Sequence, residues 1–164
     1  MKFKLWGIGW IMLITFLTSA CYETKNNNEL TEKIRQYFKK EKVEFDAELE
    51  TCLIIPGGGC TSCIANGVGF VESNKEYYQK GQAKNLVVFT RINSIKILRR
   101  NIKEINEYNC IVDSKDQFYI DMKERIYPII LYLKNGEIVN VDIQSPDTGA
   151  LKILEEILQK NKEI

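Results

Sequence analysis

Cys60 and Cys63, in the run Cys60-Thr61-Ser62-Cys63, are the residues of this chain whose type and spacing could do chemistry. A thiolate is a nucleophile, and a second thiol nearly one helical turn further on can attack the mixed disulfide that the first one forms. Before the pair, Thr51-Cys52-Leu53-Ile54-Ile55-Pro56 reads as a strand and Gly57-Gly58-Gly59 ends it. After it, the residues from Cys60 to about Lys80 carry helical spacing, with Ile64, Val68, Val71 and Tyr78 available for one face. Cys60 therefore falls at a helix N-terminus, where unpaired amides and the helix dipole favour the thiolate. The spacing alone is a weak signal, but between a strand and a helix it is a strong one. A purely structural bridge across so short a loop would constrain the unfolded chain very little.

The rest of the composition narrows the chemistry. The 164 residues contain no histidine, which excludes Ser-His and Cys-His hydrolases. Two thiolates without histidine do not complete a tetrahedral zinc site, so neither a metal nor another cofactor is expected. Charge is nearly balanced, 23 basic against 22 acidic residues, so no nucleic-acid surface is expected. Of the five cysteines, Cys52 and Cys110 sit in apolar strand-like runs and read as buried free thiols, a 52–110 disulfide being the lesser alternative.

The elements that must position the pair follow from periodicity. A short helix is expected from Asn28, its N-cap, with Leu30, Ile34, Tyr37 and Phe38 on one face. Leu86-Val87-Val88-Phe89 reads as a strand buried on both sides. Ile95, Leu98, Ile102 and Ile105 have helical spacing, and Cys110-Ile111-Val112-Asp113 reads as another strand. Ile129 to Leu133 and Ile138 to Ile143 form a hairpin around Asn135-Gly136, which supplies the positive φ angles of a tight turn. A last helix starts near Asp147 and presents Leu151, Leu154, Ile157 and Leu158. This order predicts an α/β domain, a central mixed sheet of about four to five strands flanked by helices on both faces.

With that frame, the chain resembles the thioredoxin-like family, and within it the membrane-anchored extracytoplasmic thiol–disulfide oxidoreductases of bacteria. The resemblance rests on Cys60-Thr61-Ser62-Cys63 and on the stretch from Ile126-Tyr127-Pro128 through Asn135-Gly136 to Val139, and it covers roughly 50–162. It implies a thioredoxin-like fold in which Cys60 and Cys63 are catalytic. It also implies that Pro128 is a cis proline facing them, positioning a partner's backbone and keeping metal ions from the thiols. Tyr127, Thr61 and Ser62 would line the place where that partner binds. The chain also departs from the family pattern. Gly59 stands where a Trp usually precedes the first cysteine, and Ile54 stands where a buried acid often lies. Three glycines predict a flexible approach loop and a less shielded sulfur. These departures motivate the alternative of a thioredoxin-fold lipoprotein that binds without turning over.

The N-terminus supplies an address. Lys2 and Lys4, the apolar run from Leu5 to Leu17, and Leu17-Thr18-Ser19-Ala20-Cys21 make a three-part export signal, and the last five residues resemble a bacterial lipobox. The apolar run is short for a membrane-spanning helix. The expected organisation is a removed signal peptide (1–20), a tether (21–28) beginning at a lipidated Cys21, and a domain (29–164) with an N-terminal helical extension. The expected partners are exported protein thiols or disulfides, a membrane electron donor, and the membrane itself through lipid on Cys21.

Overall fold

The structure, a computed structural model, describes residues 28–92, 94, 96, 98, 99, 102 and 105–161. The expected signal peptide (1–20), Cys21 and nearly all of the expected tether lie outside the described residues. Among those described, no helix is long and apolar enough to cross a membrane.

A five-stranded mixed sheet forms the centre. Its strands are β1 (Thr51–Pro56), β2 (Asn85–Thr90), β3 (Cys110–Asp113), β4 (Ile129–Lys134) and β5 (Glu137–Ile143), in the spatial order β3-β2-β1-β4-β5. β1 runs parallel to β2 and β2 parallel to β3, whereas β4 is antiparallel to both β1 and β5. Every residue of β1 is buried, as expected of a central strand covered on both faces. Pro56 ends it, where a missing N–H costs the ladder least.

The period-two alternation of the strands divides the core. Leu53, Ile55, Val87, Phe89 and Ile130 face one side, where they meet Val71 of α2 (Thr61–Ser73) and Leu151, Leu154 and Leu158 of α3 (Ala150–Lys160). Cys52, Ile54, Val88, Ile129 and Leu131 face the other, under Ile34 and Phe38 of α1 (28–40) together with Phe118 and Ile120. Helices thus cover both faces of the mixed sheet, and the fold is the thioredoxin-like α/β fold that the sequence predicts.

Several boundaries differ from expectation. Asn28 is already helical and not a cap. The helix carrying Cys63 stops at Ser73, not near Lys80. Asn74 stops it by donating both its backbone N–H and its side-chain amide to the Phe70 carbonyl. A short 3₁₀ turn over Lys75–Tyr77 follows, and Tyr78 is buried beyond the helix, not on it. The predicted helix over 95–105 lies largely outside the described residues, though Leu98, Ile102 and Ile105 are buried in the α2 side of the core. The hairpin turn is as expected, with Asn135 and Gly136 at φ of 53° and 78°.

Candidate active site

Cys60 is the N-cap of α2, with extended backbone (φ −69°, ψ 99°), and its sulfur accepts from the Cys63 backbone N–H at 3.4 Å. The sulfur thus occupies the place where an N-cap side chain satisfies the helix's first free amides. No acidic side chain stands in the first turn to oppose negative charge there. Ser62 Oγ lies 3.4 Å from the same sulfur, within reach of a hydroxyl donor to a thiolate.

Cys60 and Cys63 are joined as a disulfide with their Cα atoms 5.3 Å apart. The two sulfurs are not equivalent. Cys60 is half-buried, whereas Cys63 is 2% exposed on the inner face of α2 with Gly67 and Val71. Spacings of four residues put those three on one stripe facing the sheet. Thr61 and Ser62 are exposed beside the pair. Behind it, Ile54 is buried among apolar neighbours, so its position in β1 offers no proton relay.

The segment before Pro128 meets the cysteine loop through contacts the sequence did not reveal. The Cys60 backbone N–H donates to the Ile126 carbonyl at 3.1 Å. The Pro128 ring lies against α2, its Cγ 3.3 Å from where a Cβ on Gly67 would stand. Tyr127 is half-buried next to it, with its own N–H donated back to Glu124 at 2.9 Å. The expectation of a cis proline is corrected, since the described residues contain no cis peptide bond. Tyr127 is extended (φ −111°, ψ 153°), as a residue before proline prefers to be. The 3₁₀ turn over Lys123–Ile126 delivers the chain into β4 with the trans bond that X-Pro favours by about 0.5–1 kcal/mol.

Two of the three loop glycines have a steric reason. Gly57 and Gly59 are where they are because other backbone stands in the space of a side chain. A Cβ on Gly57 would overlap the Arg91 carbonyl and stand 2.9 Å from the Ile92 Cα. On Gly59, at φ +131°, it would stand 2.6 Å from the Ile126 oxygen. Of the three, Gly58 alone has open space around it. The loop is thus wedged between the end of β2 and the segment before Pro128.

The other two cysteines stand apart from the site. Cys52 is fully buried, and burial pushes its thiol well above the usual range. Cys110 is half-buried, also raised by burial, and donates to the Ile105 carbonyl at 3.4 Å. Both are free. The side chains of Cys52 and Cys110 pack on opposite faces of the sheet, with β2 between their strands, so the alternative 52–110 disulfide is sterically closed.

No family model matches this chain, and no curated protein matches it. Among solved structures, the chain is similar to the solution structure of a protein from Neisseria meningitidis described as a "putative thioredoxin". They share 21% identity and a TM-score of 0.44, over 68% of this chain and 76% of that one. A likeness of that degree adds nothing to the chemistry, which rests on a half-exposed sulfur capping a helix and a buried one three residues behind it.

Proposed function

We propose that this chain is a thiol–disulfide oxidoreductase acting on exported protein partners, held on the outer side of a bacterial membrane by lipid on Cys21. The observation that carries the enzymatic part is the asymmetry of the pair: Cys60 reachable at a helix N-terminus, Cys63 buried behind it. The export and lipid part is supported by the sequence of residues 1–21.

In the reducing direction, the Cys60 thiolate attacks one sulfur of a partner disulfide. A Cys60–partner bond forms and the other partner sulfur leaves as thiolate. Deprotonated Cys63 then attacks the Cys60 sulfur, releases the second partner thiolate and closes Cys60–Cys63. Two electrons pass from the protein dithiol to the partner, and the departing thiolates take up the protons that the two protein thiols lost. Oxidation of a partner dithiol is the same sequence in reverse. As a reductase the protein draws two electrons per turnover from a membrane donor; as an oxidase it is reoxidised instead. Helix-terminal amides and Ser62 stabilise the Cys60 thiolate, and in this reading Pro128, Tyr127, Thr61 and Ser62 receive the partner chain.

The Cys63→Ser variant of the full chain tests this reading in the cells that make it. Without the resolving thiol, partners are expected to accumulate as mixed disulfides through Cys60, visible as reductant-sensitive bands that vanish in the Cys60→Ser/Cys63→Ser double variant. No trapped partner, with Cys60 open to alkylation in the same extract, contradicts the proposal.

A further inference from the structure

A second cluster, which the sequence did not bring together, stands beside the cysteine loop. The Arg91 guanidinium lies 3.9 Å over the centroid of the Tyr119 ring, and that of Arg125 lies 5.7 Å from the same centroid. Both arginines join the cysteine loop through the backbone. Arg91 is the residue whose carbonyl fills the space of a Gly57 side chain. Arg125 precedes Ile126, whose carbonyl holds the Cys60 N–H.

The platform under them is fixed. Tyr37 of α1 donates its hydroxyl to the Tyr119 carbonyl at 2.8 Å, and the Tyr119 N–H donates to Asp116 at 3.2 Å. Arg91 and Asp116 both adopt left-handed backbone, φ 54° and 56°, and are paired to each other at 3.2 Å. Non-glycine residues adopt that region at a cost, so two of them meeting in one ion pair mark an arrangement held by its surroundings. The guanidinium groups themselves remain open to solvent, with side chains 52% and 45% exposed.

We propose that Arg91 and Arg125, arrayed on Tyr119 beside the Cys60 loop, select partner polypeptides that carry carboxylates next to the reacting cysteine. The inference rests on the thiol–disulfide reading and adds a substrate class to it. Each arginine has an internal carboxylate, Asp116 for Arg91 and Asp121 for Arg125, and each pair is exposed. Exposed pairs are weak, so a partner's carboxylate can share or replace the internal one at little cost. A guanidinium offers more donors than one carboxylate engages, which leaves N–H groups for a second acceptor. The aromatic face holds each cation in place from behind.

The test uses the full chain, reduced with dithiothreitol and desalted, and two disulfide-linked peptide dimers. They differ only in Asp or Asn on either side of the cysteine. At low ionic strength the Asp peptide is expected to be reduced about tenfold faster than the Asn peptide, the ratio falling toward one as salt rises. In Arg91→Gln/Arg125→Gln, checked as folded by circular dichroism, the low-salt ratio falls to near one. If that variant does not fold, Arg125→Gln alone is expected to lower the ratio to an intermediate value, since its ion pair lies on the surface. Equal rates for the two peptides with the native chain overturn the proposal, as does a ratio that the folded variant retains. No exchange in either direction, neither reduction of the peptide dimers by the reduced chain nor oxidation of the peptide thiols by its disulfide form, overturns the thiol–disulfide reading itself, a distinct result.

Discussion

Replacing Cys60 by serine is expected to lower the rate of disulfide exchange by on the order of a thousandfold or more, to the background reaction. A serine hydroxyl is not ionised near neutral pH and does not attack sulfur, so the helix-terminal amides that favour a thiolate at position 60 would have nothing to act on. Cys63 cannot take over, because it is 2% exposed and lies under the first turn of α2 with Gly67 and Val71. Cys63→Ser is expected to behave differently. Its first attack, made by an unchanged Cys60, proceeds at close to the native rate and then stops, with one partner bound per protein. A rapid-mixing experiment with a peptide disulfide separates the two, giving no fast phase for Cys60→Ser and a single stoichiometric phase without turnover for Cys63→Ser. Equal losses in both variants would contradict distinct roles for the two sulfurs.

The second large effect concerns the loop that sets Cys60 in place. Gly59→Ala is expected to destabilise the domain by about 3 kcal/mol or more, from a disfavoured backbone region plus overpacking. At φ +131° an alanine is strained, and its Cβ would stand 2.6 Å from the Ile126 oxygen that accepts the Cys60 N–H. Relief requires the loop to move away from Ile126, which breaks the same hydrogen bond and shifts the N-cap. Gly58→Ala, one residue away, meets nothing within 4 Å and is expected to fall within about 0.5 kcal/mol of the native chain. Thermal unfolding of both variants measures the difference, expected as a midpoint at least ~6 °C lower for Gly59→Ala. Similar stabilities for the two would mean that the loop is slack, as a run of three glycines suggests on its face.

That contrast shows where sequence reading succeeded and where it stopped. The strand-cysteines-helix order was legible because β1 is a continuous apolar run and its breaker residues are local signals. The Asn135-Gly136 reversal was legible for the same reason: both residues carry their backbone preference with them. Contacts between distant segments were not legible. Nothing near Gly57 announces that Arg91 backbone occupies the missing side chain, and nothing in Ile126-Tyr127-Pro128 tells whether the peptide before proline is trans. The end of α2 was misplaced because Tyr78 continues the helical spacing. Asn74 captures the Phe70 carbonyl first, and the chain then buries Tyr78 from a turn. Cys52 and Cys110 read as one kind of buried thiol, whereas the register puts their side chains on opposite sides of the sheet. The Arg91–Tyr119–Arg125 cluster joins the segment after β2 to the β3–β4 connection, a meeting with no local signature.

In the proposed exchange Cys60, and no other cysteine of the domain, is the thiolate that attacks a partner. The measurement that tests it is the rate of iodoacetamide labelling of Cys52, Cys60, Cys63 and Cys110 in the reduced native chain as a function of pH, read by mass spectrometry. Cys60 is expected to react fastest, with a midpoint below the ~8.5 of an unperturbed thiol. Cys63 and Cys110 should react slowly and Cys52 not at all, since burial both hides the last two and disfavours their thiolates. A Cys60 midpoint at or above that of a free thiol, or labelling no faster than that of Cys110, would rule out that role for Cys60.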